Sequence, residues 1–344
     1  MSSPSYALRD TMPGVVVVAI LASFSTWAAE WSALQSLRVS PLIVGILLGV
    51  ALANLAGSRL PAGWTLGITF SAKKLLKLAI ILYGFRITFT EIAAVGWGGL
   101  LLDATVVALT LVFGIYAGVR WLGVDRETSI MTASGAAICG AAAIVATAPI
   151  VKAESHQTSI AVATVLTFGT VAMFLYPLAY RTGLIPMSED VFGVYIGASI
   201  HNVGHAVAAA GAISSETAAT AVIVKMTRVM MLAPALIVLG WFVHRGRPDD
   251  ERTGTGLVIP WFAVAFVGVA AFNTFDLLPR TVVQALVTLD TFLLTMAMTA
   301  LGLGTVLSKF KGMGWRVLKL ATLLAVWLIV GGFVLTLLFM GTGQ

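Results

Sequence analysis

The sequence predicts an all-α polytopic membrane protein with about eleven membrane segments, inverted repeats, and two helices that are broken by glycine or re-enter the bilayer. Three observations carry that prediction: composition, the spacing of apolar stretches, and an internal similarity. Of 344 residues, 59% are hydrophobic and only 10% are charged, a balance outside the range of soluble domains. Mean hydropathy is +0.98. Candidate segments start near residues 13, 41, 66, 97, 128, 158, 191, 217, 257, 281 and 315, most of them close to the roughly 20 residues a spanning helix needs. Almost no chain is left for an extramembrane domain. Residues 1–344 therefore read as a single transmembrane domain, with a first half over about 41–180 and a second over about 191–340.

The first apolar stretch, residues 14–29, resembles a secretory leader in length, but a single basic residue precedes it, Arg9, offset by Asp10. A signal peptide needs a positively charged start, so a retained first helix is expected. Further along, Leu47-Leu-Gly-Val-Ala-Leu-Ala-Asn54 resembles Phe266-Val-Gly-Val-Ala-Ala-Phe-Asn273. Ala79, Gly84, Gly96, Trp97 and Leu100 then match Ala297, Gly302, Gly314, Trp315 and Leu318 at an offset near 218. Seven segment steps separate the copies, and an odd number of steps means opposite orientation in the membrane. Transporters are commonly built from such inverted repeats.

Charge placement predicts the orientation. Arg9, Arg59, Arg120, Arg126, Arg181, Arg245, Arg247, Arg252, Lys309, Lys311 and Arg316 fall on the N-terminal side of the alternating connections, and only Arg38, Lys152 and Arg280 fall opposite. Basic loops stay in the cytoplasm, which places the N-terminus there. If segments five and seven re-enter instead of crossing, Lys152 and Arg181 exchange sides and the tally is unchanged. The longest polar connection, about 244–256, reads as a cytoplasmic linker of charged and Gly/Pro-rich composition. With one cysteine, Cys139, no internal disulfide can form and redox chemistry is not suggested.

Segments five and seven carry the candidate site. Ser134-Gly-Ala-Ala-Ile-Cys-Gly-Ala-Ala-Ala-Ile and Gly197-Ala-Ser-Ile-His-Asn-Val-Gly-His-Ala-Val-Ala-Ala-Ala-Gly are apolar enough for a bilayer, yet glycine interrupts each helix. Irregular backbone survives at membrane depth only inside protein or beside a cavity, and broken helices form transporter binding sites. Close helix packing through small residues is the alternative use of the same glycines. Substrate-binding candidates here are Ser134, Gly135, Cys139, Gly140, Ser199, His201, Asn202 and Gly204, where helix breaks leave N–H groups and dipole ends for an anion. The two breaks are expected to approach each other at one central cavity.

Segment eight adds Lys225 and Arg228 on one helical face. A charge at mid-span costs at least about 2.5–3.5 kcal/mol on insertion scales, so an anionic substrate, a carboxylate such as Asp103 or Asp290, or snorkelling must offset it. Segment three carries Lys77 and Arg86, about 13.5 Å apart along a continuous helix, so one of the two should be deep. Asp103 and Asp290 are the clear intramembrane acids, which leaves cations in excess and argues for an anion path. His201 and His205 are four apart, but no Cys, Asp or Glu lies within that motif to complete a metal site. Hydrogen bonding to an oxyanion, proton coupling near neutral pH, or plain packing remain for them. Asp103, Asp290, Lys77, Arg86 and His205 are assigned coupling or secondary roles.

Four motifs in order, Ser134-Gly-Ala-Ala-Ile-Cys-Gly-Ala-Ala-Ala-Ile, Phe168-Gly-Thr-Val-Ala-Met-Phe-Leu-Tyr-Pro177, Gly197-Ala-Ser-Ile-His-Asn-Val-Gly-His-Ala-Val-Ala-Ala and Val224-Lys-Met-Thr-Arg-Val-Met-Met-Leu-Ala-Pro234, resemble the YeiH-like sulfate-exporter family of bacterial membrane proteins. The resemblance runs from about Pro41 to the C-terminus and implies an inner-membrane transporter, with Cys139, Gly140, His201, Lys225 and Arg228 on its motif positions. The chain departs from that pattern at Ala142, Asn202 and His205, which puts ion coupling beside His201 in question. The expected function is secondary transport, exporting a small anion such as sulfate, sulfite or an organosulfonate. A sodium- or proton-coupled organic carboxylate carrier is the alternative, and an anion channel or membrane enzyme trails. The expected partners are the anionic substrate and the lipid bilayer, with a homodimer among the options for assembly. No enzyme activity, cofactor, metal or nucleic acid is expected.

Overall fold

The computed structural model describes residues 8–32, 39–56, 61–244, 261–305 and 314–341. Most of the 244–256 linker, together with Arg38, Arg59, Arg245, Arg247, Arg252, Lys309 and Lys311, lies outside them. No strand occurs among the described residues. In chain order the helices begin with α1 (Leu8–Ala29), α2 (Pro41–Ala56), α3 (Thr65–Phe70), α4 (Leu76–Tyr83) and α5 (Phe89–Tyr116). Next come α6 (Arg126–Ala137), α7 (Ala141–Val151), α8 (Ser155–Arg181), α9 (Glu189–Ser199) and α10 (Val203–Gly211). The last are α11 (Ser215–Met230), α12 (Leu232–His244), α13 (Trp261–Thr274), α14 (Arg280–Gly304) and α15 (Trp315–Met340). Among the described residues six helical stretches are long and apolar enough to cross a membrane, and α2, α7 and α13 are shorter apolar helices. Every one of the eleven expected segments has its helix or helix pair.

The chain forms two compact units, residues 1–90 with 262–311 and residues 91–261 with 312–344. In the first unit α2 lies against α14 at glycine contacts. A Cβ on Gly49 would stand 2.3 Å from the Thr299 carbonyl oxygen, and one on Gly302 would stand 2.3 Å from that of Ile46. Small residues permit this approach, and lipid supplies no hydrophobic drive to replace it. The repeat partner of Gly302 is Gly84, whose Cβ would meet the Phe266 carbonyl oxygen of α13 at 2.8 Å. Asn54 donates its side-chain amide to Thr305 O at 2.9 Å, and its counterpart Asn273 donates to Ile87 O at 3.2 Å. Reciprocal contacts between matched positions are the signature of a two-fold repeat, so the sequence similarity reports real structural symmetry.

In the second unit, segments five and seven each fold as a helical hairpin. Along a continuous helix Gly135 and Ile144 would be about 13 Å apart, yet a Cβ on Gly135 would touch Ile144 Cδ1 at 2.7 Å. Ile130 and Met131 of α6 also share a core cluster with Ile144 and Val151 of α7. The two arms therefore run antiparallel. In the other hairpin, α9 runs parallel to α11, since Gly193 meets Thr217 and Thr220 while Gly197 meets Ala221 and Val224. Helix α10 returns between them through the short 212–214 turn.

Helix α8 shows how the hairpins face each other. Near its start, Gln157 bonds Asp125 at the base of the first hairpin, and Val165 touches the Gly140 position at that hairpin's tip. Further on, Thr170 contacts His205 just past the second tip, and Arg181 donates to Ala212 O at the second base. The hairpins thus come in from opposite ends of α8, and their tips meet beside its middle. Helices α5 and α15, repeat partners, contribute to the core around them: Leu102 and Val106 share a cluster with Ala136, Ala198, Val224, Leu324 and Leu328. Matched glycines pack closely against the hairpins, Gly114 against Ala133 and Gly332 against Ser199.

Candidate functional site

Local sequence sets each hairpin. Asp125 caps α6 by accepting from Thr128 N, and Ser188 caps α9 by accepting from Val191 N, so both first arms start in side-chain caps. Each first arm then stops at a related sequence, Gly135-Ala-Ala-Ile-Cys-Gly140 or Gly197-Ala-Ser-Ile-His-Asn202. The first tip turns through Gly140 at φ +78°, a conformation open to glycine and costly for other residues. In the second, Ile200 and Asn202 are extended, and the Asn202 side chain accepts from Gly204 N at 3.2 Å. A Cβ on Gly140 would lie 3.4 Å from His201 O and 3.6 Å from Asn202 Cβ. The expected approach of the two breaks is therefore present.

Lys225 and Arg228 are fully buried between these tips. Arg228 donates Nε to Ala137 O at 2.5 Å, Nη2 to Ala136 O at 2.7 Å, and Nη1 to Ala198 O. Lys225 donates Nζ to Ile200 O. Both cations sit at the C-terminal ends of α6 and α9, where orphan carbonyls and the negative dipole end favour positive charge. The carboxylate offset expected from sequence takes a different form. Asp290 belongs to the first unit and pairs with Arg86 Nε at 2.8 Å, while Arg86 Nη2 donates to Val287 O and Thr291 Oγ1. Asp103 does act electrostatically on Arg228 and Lys225. It is fully buried, and neither carboxylate oxygen has a hydrogen-bond partner among the described residues.

Charge and donor counting then leave room for an anion. Half-helix ends at the crossing cancel, with two C-termini near −0.5 and two N-termini near +0.5. Two cations face one carboxylate, which leaves one positive charge over. Arg228 uses three of its five donors and Lys225 one of its three among the described residues. Among the described residues the N-terminus of α7 has no side-chain cap, and Ser134 Oγ and His201 Nδ1, both buried, have no hydrogen-bond partner. His201 also lines a cavity of about 30 Å³ with Phe168, Ala172, Tyr176, Ser199 and Leu328, room for about two water-sized groups.

Other expected site residues have structural occupations. Ser199 Oγ donates to Tyr195 O at 2.5 Å and accepts from Tyr176 Oη at 2.9 Å, so its hydroxyl is already engaged. The His205 ring packs over Gly169, where a Cβ would lie 2.5 Å from Nδ1, and Nε2 contacts Thr170 Oγ1 at 3.3 Å. Gly135 gives space to Ile144 and Val165. Cys139 is buried at the first tip and acts electrostatically on Lys225 and Arg228. Lys77 is exposed and stacks on Phe262 at 5.5 Å, and the Arg86 side chain is 27% exposed. Arg86 lies past the end of α4, in the 3-10 turn Gly84–Arg86. No group of three His, Cys, Asp or Glu able to hold a metal occurs among the described residues.

Residue reading alone did not single out Tyr176 and Tyr195. Tyr195 Oη donates to Ile329 O at 2.8 Å, which continues the Tyr176–Ser199 chain onto α15. A glycine in a spanning helix, Gly169, was the available signal, because it marks where the second hairpin presses on α8.

Comparison with known proteins agrees with this architecture. Residues 13–321 match the family model described as conserved hypothetical protein 698. A UPF0324 membrane protein of Bacteroides thetaiotaomicron is 45% identical over 94% of this chain and 96% of its own. The UPF0324 inner membrane protein YeiH of Escherichia coli K12 is 44% identical over 93% of this chain and 92% of its own. A UPF0324 membrane protein of Bordetella pertussis is 42% identical, with 94% of each chain covered. No solved structure matches the chain.

Proposed function

The chain belongs to the UPF0324 membrane-protein family, and from that premise we propose that it is a secondary transporter exporting a small anion such as sulfate, sulfite or an organosulfonate. Relatives named as inner membrane proteins support the same location for this chain, and the asymmetry of its basic connections supports an N-terminus in the cytoplasm. The observation that carries the reading is the pair Lys225 and Arg228, fully buried between two opposed hairpin tips with, among the described residues, the one carboxylate of Asp103 acting on them. An anion would take the spare Lys225 donors and the uncapped N-terminus of α7, with His201 offering a ring nitrogen. Arg228 keeps the two tips together instead of reaching for substrate. Tips entering from opposite ends of α8 provide one gate each for alternating access. No bond is made or broken in this cycle, so the reading assigns no enzymatic role.

Thermal unfolding of detergent-purified protein with sulfate, sulfite, methanesulfonate, taurine and dicarboxylates tests the reading. A bound anion at a hundred times its Kd stabilises by about 2.7 kcal/mol. Stabilisation by sulfur oxyanions, with saturable flux in liposomes, supports it. A preference for dicarboxylates points to the carboxylate carrier, and no stabilisation by any anion removes it.

A further inference from the structure

We infer that Asp103 is the proton-coupling residue of this site: a doubly charged anion binds together with one proton, which Asp103 takes up. The inference rests on the anion-transport reading and adds its coupling ion. Asp103 lies on α5, fully buried, with neither oxygen hydrogen-bonded among the described residues. Its neighbours Leu102 and Val106 pack into the cluster that holds Ala136, Ala198 and Val224 beside both hairpins. A carboxylate so placed is held by the field of two cations alone, without the hydrogen bonds that normally fix a buried charge.

The charged groups that act on it are Arg228 and Lys225 of α11. Around those cations stand Cys139 at the first tip, His201 and His205 at the second, and Tyr176 of α8. With Asp103 ionised, the crossing carries one surplus positive charge. With Asp103 protonated it carries two. A dianion such as sulfate is balanced only in the second state, so its arrival drives the carboxylate to accept a proton from solvent and become a neutral acid. A monoanion such as methanesulfonate is balanced with Asp103 ionised and needs no proton. Charge and atoms close in both cases: the proton leaves with the dianion when Asp103 ionises again.

Mixing sulfate with purified protein in weak buffer containing a pH indicator reads the proton directly. The expected result is about one proton taken up per sulfate bound and none for methanesulfonate, with sulfate affinity rising about tenfold per unit fall in pH. Asp103→Asn, which imitates the protonated acid, should bind sulfate with no proton uptake and a flat pH profile. His201→Gln should keep the slope. Sulfate binding without proton uptake overturns the inference and leaves the transport reading intact, as does equal uptake with methanesulfonate, or a slope that vanishes in His201→Gln and persists in Asp103→Asn. Absence of any anion binding by the wild-type protein defeats the transport reading itself. The wild-type measurement stands even if the Asp103 variant does not fold.

Discussion

The two hairpins share a backbone plan and differ in what they put at the tip. Both begin in a side-chain cap, both end their first arm on a cation of α11, and both fold back after an alanine and an isoleucine. At the first tip the turn is made by Gly140 and the returning arm is left uncapped. At the second, Asn202 caps the returning arm and His201 reaches the cavity. Symmetry therefore builds the frame, and the departures from it carry the chemistry: one tip offers bare backbone N–H groups, the other a ring nitrogen.

Arg228→Met should break the comparison altogether, because Arg228 alone binds both hairpins. Three buried carbonyls lose a charged donor, at about 1–3 kcal/mol each, and the variant is expected to elute from size exclusion as aggregate. A monodisperse Arg228→Met protein with wild-type melting would show that the tips do not need the clamp. Gly140→Ala tests the first tip alone. Its φ of +78° and a Cβ 3.0 Å from Val165 Cγ1 predict a loss of about 1–3 kcal/mol, read as a lower melting temperature.

Asn202→Ala addresses the second tip. Loss of a helix cap costs about 0.5–2 kcal/mol, so this change should be milder than Gly140→Ala. A reversed order would mean that the second tip, not the first, holds the frame. Ser199→Ala should be smaller still in anion affinity, because that hydroxyl serves Tyr195 and Tyr176. Anion binding lost in Ser199→Ala with unchanged melting would return Ser199 to the substrate.

Much of this architecture was legible in the residues. All eleven segments could be placed, since each is an apolar run bounded by polar residues, and the repeat pairs Gly84 with Gly302 and Asn54 with Asn273 mark contacts that the fold makes reciprocally. Whether segments five and seven cross or turn back was not legible. A run of 26 residues from Arg126 to Val151 has the same composition as one crossing or as two short arms, and contacts such as Gly135–Ile144 separate them. The partners of Lys225 and Arg228 were hidden for a related reason. Backbone carbonyls accept from both, and a carbonyl leaves no residue type to read. Asp290 and Arg86 could be named as intramembrane charges, but their pairing across some two hundred residues needed the fold.

The most direct measurement is the anion affinity of Lys225→Met. This change removes one carbonyl contact, to Ile200, and leaves the Arg228 clamp whole, so the protein should stay folded with melting only slightly lowered. Titration calorimetry with sulfate should then show binding by the wild type and none by Lys225→Met across pH 6 to 8. Wild-type sulfate affinity in a folded Lys225→Met protein would contradict an anion site at the hairpin crossing.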